Sequence, residues 1–213
     1  MILALLPVKA PQNAKQRLSG LLTAEQREAL ARAMYQEMLE KLRAVRGLDR
    51  IVVVTSDGLT ARQARRAGAL VFQEEDQAGH SHSADAAAQR AIQMGARTVL
   101  LLPIDLPLAA PREIEELAAA AHLHQVVVVP SADETGTNAL VRTPPDIIQS
   151  RFGPGSLQAH LEQARARGVT TEVLRLPGLM LDIDTPEDVA ELFQRAPECR
   201  IARMLRQTCA LTL

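Results

Sequence analysis

Three groups of residues in this 213-residue chain have the types and spacing to do chemistry. The first is Lys9, Lys15 and Arg17, set in Pro7-Val8-Lys9-Ala10-Pro11-Gln12-Asn13-Ala14-Lys15-Gln16-Arg17-Leu18. No Asp or Glu precedes Glu25, so this stretch carries cations with nothing to neutralise them. Such a loop suits a polyanion, and a triphosphate is the natural ligand. The chain has only three lysines against 21 arginines, yet two of the three stand here. The second group is Asp105, alone between apolar residues and prolines in Leu102-Pro103-Ile104-Asp105-Leu106-Pro107-Leu108. A carboxylate held there costs several kcal/mol to desolvate unless a cation or donor meets it. The third is Leu181-Asp182-Ile183-Asp184-Thr185. In extended backbone alternate side chains share a face, so Asp182 and Asp184 point one way and Ile183 the other. Two carboxylates on one face repel unless a divalent ion joins them. Asp105, Asp182 and Asp184 together make an all-oxygen set suited to Mg²⁺.

Weaker signals accompany these. Arg151-Phe152-Gly153-Pro154-Gly155-Ser156 stands at the head of a helical pattern, where glycines admit close approach and free N–H groups with the Ser156 hydroxyl form an anion seat. Asp133-Glu134-Thr135-Gly136-Thr137-Asn138 reads as a polar loop able to contact a small oxygenated substrate. His80 and His82 read as surface residues, and His122, His124 and His160 as structural ones. No Ser-His-Asp or Cys-His arrangement can be assembled. The opening loop is neither G-x-x-x-x-G-K-[ST] nor G-x-G-x-x-G.

The elements that must position these residues alternate. Ile2–Val8, Arg50–Thr55, residues 69–73, Thr98–Leu102 and Gln125–Pro130 read as buried strands. Between them, helices are expected from Thr23 (a capping box with Gln26) to Gly47, over 59–67, 83–94 and 111–122. A helix over Ser156–Arg167 ends at Gly168, and Thr185-Pro186 starts a last clear one. Val169–Leu176 and Leu179–Asp182 are expected to form a hairpin around Pro177-Gly178. The pattern predicts a doubly wound α/β fold, one domain with a mostly parallel, mixed sheet. Ligands then bind beyond the carboxyl ends of the strands, where all the candidates fall.

Composition narrows the class. Apolar residues make up 47% and charged residues 23%, which excludes fibrous and largely disordered chains. The net charge of −1 argues against a general nucleic-acid binder. Apolar runs such as Val126–Val129 are far too short for a membrane span, and no secretory signal is read at the start. Cys199 and Cys209 form no metal spacing and fit a reducing cytoplasm. The apolar and basic tail from Ile201 to Leu213 leaves packing on its own domain or on a homodimer partner open.

The ordered set PVKAPQNAKQRL, VVVTSD, LLLPIDLPL, DETGTNAL, RFGPGS and DIDTPEDV, running from Ile2 to about Phe193, resembles the guanylyltransferases of deazaflavin coenzyme F-420 biosynthesis. These are the CofC family, called FbiD in actinobacterial and related forms. The resemblance implies a single nucleotidyltransferase domain of Rossmann-like type, with a core of about 1–195 and an extension from about 196 to 213. It implies transfer of GMP from GTP to a small phosphorylated carboxylic acid (2-phospho-L-lactate, phosphoenolpyruvate or 3-phosphoglycerate) with release of pyrophosphate. By the same resemblance Asp105, Asp182 and Asp184 hold Mg²⁺, while Lys9, Lys15 and Arg17 grip the triphosphate. Thr137 or Asn138, with Gly153 and Ser156, hold the phospho-acid. Lys15, Asp105 and Asp184 carry the catalysis, and Asp85 lies on the nucleotide side. There this chain reads Gly79-His80-Ser81-His82-Ser83-Ala84-Asp85, where many members have Gly-Leu-Asn. The rival readings are a molybdopterin- or sugar-phosphate-type nucleotidyltransferase, a haloacid-type phosphatase, and a non-catalytic nucleotide-binding module. The first usually opens on a Gly-rich loop, and this chain has no glycine before Gly20.

Overall fold

The computed structural model describes residues 1–74 and 79–209. Among these residues seven strands form one sheet: β1 (Ile2–Pro7), β2 (Arg50–Thr55), β3 (Leu70–Gln73), β4 (Thr98–Leu101), β5 (Val126–Pro130), β6 (Thr137–Arg142) and β7 (Thr171–Val173). Their order is β3-β2-β1-β4-β6-β5-β7. β1 pairs in parallel with β2 and β4, β2 with β3, and β5 with β7, whereas β6 runs antiparallel to both β4 and β5. One strand therefore points against the other six.

β1, β2, β4 and β5 are apolar without alternation because both faces are covered. Leu3, Leu5, Val52, Val54, Val99 and Leu101 face a core shared with α3 (His80–Gln93) and α5 (Ser156–Arg167). Their neighbours Ala4, Leu6, Val53 and Leu100 face a second core, closed by α1 (Ala24–Ala44), α2 (Gly58–Arg66), α4 (Pro111–Ala120) and α6 (Pro177–Met180). Each fully buried Leu or Val contributes on the order of 2 kcal/mol. A third cluster joins α1 to α7 (Pro186–Arg195) and α8 (Arg200–Cys209). No helix among the described residues is long and apolar enough to cross a membrane.

Helix starts follow the sequence. Thr23 accepts from the Gln26 N–H while the Gln26 side chain accepts from the Thr23 N–H. Thr185 and Asp188 repeat this at α7, with Pro186 in the first turn.

Three expectations are corrected, and one left open is narrowed. Val169–Asp182 is not a hairpin: β7 joins β5 in parallel, and Pro177 opens the single turn α6, whose Gly178 N–H donates to Glu113 Oε1 at 2.8 Å. The stretch 133–138 is only partly loop, since Thr137 and Asn138 begin β6. α3 starts at His80, not Ser83. The tail packs on its own domain as far as it is described: Ile201, Ala202 and Leu205 are buried against Leu30, Met34, Leu192 and Phe193. Residues 210–213 of that tail, and the Cys209 side chain, lie outside the described residues.

Candidate active site

The carboxyl ends of β1, β4 and β5 and the amino end of the reversed β6 surround a cleft of about 900 Å³. Lys9, Lys15, Arg17, Asp105, Thr137, Asn138, Gly153, Ser156, Asp182 and Asp184 all line it.

Behind β1 the chain makes two short 3₁₀ turns, Pro11–Asn13 and Gln16–Leu18, hinged at Lys15. Lys15 has φ 55° and ψ 39°, the left-handed region that a side chain with a Cβ adopts at a cost of about 1 kcal/mol. Its ammonium group offsets that cost by donating to Asp105 Oδ2 and, at 2.7 Å, to Asp184 Oδ1. Burial alone would lower the Lys15 pKa, but the two carboxylates reverse this and raise it. Lys9 and Arg17 stay exposed at the cleft rim.

Asp105 follows β4, in a loop tied to the third group by Ile183 N–H donating to the Asp105 carbonyl at 3.1 Å. Leu181 and Ile183 are buried in the third cluster, which turns Asp182 and Asp184 into the cleft as the alternation predicts. One carboxylate oxygen each from Asp105, Asp182 and Asp184 lie within 4.8 Å of one another. Burial, then the charges of Asp105 and Asp184, push Asp182 up to about 6, although Asn138 Nδ2 donates to it at 3.1 Å. Burial also acts to raise Asp184, but Lys15, Arg17 and Lys9 outweigh it and hold that carboxyl below its usual range.

These residues fit a divalent cation. All donors are hard oxygens, Asp105 Oδ1 is buried with no hydrogen-bond partner, and a cation, the Lys15 ammonium, already bridges two of the three carboxylates. Among the described residues no other group of His, Cys, Asp or Glu converges in this way.

The opposite wall is built by β6 and the loop before α5. Gly153 (φ 123°) and Gly155 (φ 71°) take conformations that explain why glycine stands at both places. The turn ends on Ser156, which is 1% exposed with an unpartnered hydroxyl. Thr137 Oγ1 lies 3.0 Å from His160 Nδ1, and the Arg151 N–H donates to His160 Nε2 at 2.9 Å. Burial and the charge of Arg142 push His160 down to about 4, so it is neutral at pH 7. The acids of the preceding loop are engaged elsewhere: Asp133 accepts from Ser131 and Thr135, and Glu134 pairs with Arg175.

Asp85 is the candidate that the fold does not bring in. Its carboxylate accepts from Arg142 Nη1 at 2.7 Å and from the Ser150 N–H and hydroxyl, and it lines a separate hollow of about 250 Å³. The reason is electrostatic: Arg142 is 1% exposed and requires a counter-charge. His80, read from sequence as surface, lines the cleft instead and packs edge-on against Phe152 with ring centroids 4.8 Å apart.

The topology places the chain in a recognisable class of folds. A solved structure from Desulfovibrio desulfuricans G20, described as a candidate nucleotide-diphospho-sugar transferase, superposes with a TM-score of 0.79 at 18% identity, over 98% of this chain and 95% of that one. At that identity the likeness speaks for the fold alone.

Sequence carries the assignment further. Residues 2–209 match the family of CofC-like guanylyl transferases, and the chain belongs to that family. It is 35% identical over 195 residues to phosphoenolpyruvate guanylyltransferase of Sphaerobacter thermophilus, covering 92% of this chain and 94% of the relative. It is 34% identical over 184 residues to 3-phospho-D-glycerate guanylyltransferase of Colwellia psychrerythraea, covering 86% and 87%. The match takes in α8, for which the sequence motifs had offered no counterpart.

Proposed function

We propose that this protein is a Mg²⁺-dependent cytoplasmic enzyme that transfers GMP from GTP to the phosphate of a small phosphorylated carboxylic acid, releasing pyrophosphate. The acceptor is of the 2-phospho-L-lactate, phosphoenolpyruvate and 3-phosphoglycerate class, and the product serves deazaflavin coenzyme biosynthesis. The observation that supports this most directly is the meeting of Lys15, Asp105, Asp182 and Asp184 in one cleft between a cationic loop and an oxygen-binding wall.

An oxygen of the acid's phosphate attacks the α-phosphorus of GTP. A new O–P bond forms, the bond from the α-phosphorus to the oxygen bridging the β-phosphorus breaks, and pyrophosphate leaves with the electron pair. The nucleophile is already an anion at neutral pH, so no base has to remove a proton. That agrees with His160 being engaged by Thr137 and Arg151. Lys9, Lys15 and Arg17 bind the triphosphate and oppose its charge as it redistributes. Asp105, Asp182 and Asp184 would hold Mg²⁺, which when bound neutralises the triphosphate and the departing pyrophosphate. Thr137, Gly153 and Ser156 seat the acid, and Asn138 keeps Asp182 in place through its 3.1 Å hydrogen bond.

The test is pyrophosphate release from GTP, ATP or CTP with a panel of phospho-acids. GTP with one of the three acids should be the productive pair, and Asp184→Ala should reduce turnover at least about 1,000-fold while the fold persists. Turnover without any phospho-acid, or near-native activity of Asp184→Ala, would defeat the reading.

A further inference from the structure

We infer that His160, a residue outside the cleft surface, fixes the hydrogen of the Thr137 hydroxyl so that it points into the cleft as a donor to an anionic oxygen of the acceptor. This rests on the acceptor reading given above and assigns the residue that orients it.

Hydrogen-bond direction fixes the tautomer and, through it, the hydroxyl. His160 is fully buried on α5. Its Nε2 receives the Arg151 backbone N–H at 2.9 Å, and a backbone N–H can only donate. A neutral imidazole has one donor and one acceptor nitrogen. With Nε2 accepting, the proton must sit on Nδ1, and the 3.0 Å contact to Thr137 Oγ1 is Nδ1–H donating to oxygen. A hydroxyl that accepts there still has a hydrogen of its own to give. Thr137 is 9% exposed and lines the cleft, so the hydrogen is available to a ligand oxygen.

The placement makes the effect local to the acid's wall. Ser156 and His160 stand four residues apart on α5, hence on one helical face, and the Ser156 hydroxyl is buried without a partner. The same imidazole holds the Arg151 end of the loop carrying Gly153, and Phe152 packs edge-on against it with centroids 5.5 Å apart. His160 therefore couples three parts of one wall: the strand that offers Thr137, the loop that offers Gly153, and the helix that offers Ser156. A wall presenting hydroxyl hydrogens selects oxygens that carry none of their own, such as a carboxylate or a phosphate.

His160→Asn and His160→Gln separate the two bonds. The Asn amide takes the place of Nδ1 and keeps the donor to Thr137. The Gln amide takes the place of Nε2, keeps the acceptor for Arg151, and leaves Thr137 free to turn its hydrogen away. His160→Gln should raise KM for the acid by about 10- to 100-fold, the range for a hydrogen bond to a charged group. KM for GTP should stay within about twofold, and His160→Asn should stay within about threefold of the parent for both substrates. In a Thr137→Val background His160→Gln should add almost nothing. A merely structural role would impair both substrates and both variants alike and would persist in that background.

A second readout needs no turnover: long-range ¹H–¹⁵N spectra of ¹⁵N-histidine protein at pH 7, with His160→Asn to assign the signal. The Nδ1–H tautomer supports the inference. The Nε2–H tautomer, or equal kinetics for the Asn and Gln variants, overturns it. If the unaltered protein releases no pyrophosphate with any acid, the guanylyl-transfer reading falls, while the tautomer still decides the orientation of Thr137.

Discussion

Replacing Asp182 by Asn should stabilise the metal-free protein and destroy its activity, and the size of the first effect can be worked out. The Asp182 carboxyl rises from 3.8 to about 6 through burial and through the charges of Asp105 and Asp184. A pKa raised by folding means that the folded state holds the proton more tightly than the unfolded chain. Stability therefore falls as pH rises from about 4 to about 6, and the full penalty is present above that window. At 1.36 kcal/mol per unit, the gap corresponds to about 3 kcal/mol at pH 8. Asn carries no such charge, and its oxygen can still accept from Asn138 Nδ2, which lies 3.1 Å from the aspartate. With EDTA present, Asp182→Asn should melt roughly 6–12 °C above the parent at pH 8, since about 1 kcal/mol moves Tm by 2–4 °C at this chain length. The gain should shrink to about 0.5 kcal/mol at pH 4, where the folded carboxyl is protonated but the unfolded one only in part, and vanish below about pH 3. Adding Mg²⁺ should raise the melting temperature of the parent more than that of the variant, because bound ion stabilises only a chain that retains its ligands. Calorimetric or dye-based melting at the two pH values decides the matter. A gain independent of pH, or a variant less stable than the parent at pH 8, would show that burial and the neighbouring carboxylates do not raise the Asp182 carboxyl as this reasoning requires.

Two further substitutions separate structure from chemistry. Asp85→Asn leaves the Arg142 guanidinium buried without its counter-charge. It should cost about 2–3 kcal/mol in urea unfolding, with KM for GTP within about twofold of the parent; a specific loss of GTP affinity would put Asp85 back at the nucleotide. Ser156→Ala removes a buried hydroxyl that has no partner in the free protein. It should gain up to about 1 kcal/mol in the same unfolding assay while raising KM for the acid about tenfold; equal losses in both would show that the hydroxyl serves the fold instead.

Much of this was legible in the sequence because the physics is local there. β1, β2, β4 and β5 are covered on both faces, so their apolar runs leave no helical alternative, and the caps at Thr23 and Thr185 satisfy N–H groups within four residues. The shared direction of Asp182 and Asp184 is likewise a property of extended backbone, and burial of Leu181 and Ile183 fixes it. What was missed depends on distant partners. β6 begins with two polar residues and ends on an arginine, a poor strand pattern until Asp85 and the Ile148 carbonyl accept from Arg142. The hairpin expected at Pro177-Gly178 failed because β5 offers β7 a parallel edge and Glu113 receives the Gly178 N–H, neither of which a short window can contain. His160 had no periodic or motif signal at all. Its role exists only through a strand 23 residues earlier and a loop 9 residues earlier.

The reversed strand explains why so small a sheet can hold two substrates at one end. Had β6 run with its neighbours, its opening residues would sit at the far edge, a sheet's breadth from Asp105. Running backwards, it delivers Thr137 and Asn138 beside the ends of β4 and β5. Successive residues of a strand face opposite sides. Thr137 thus meets His160 on α5, while Asn138 donates to the Met180 carbonyl at 2.8 Å and to Asp182 on the side of α6. The strand that carries Thr137 also steadies one of the three carboxylates through Asn138, and the cationic loop after β1 closes on that group through Lys15. On the proposed reading, the acceptor on the wall of Thr137 and the triphosphate on the wall of Lys15 face each other across the cleft, so the acceptor oxygen can approach the α-phosphorus from the side opposite the departing pyrophosphate, as an in-line displacement demands.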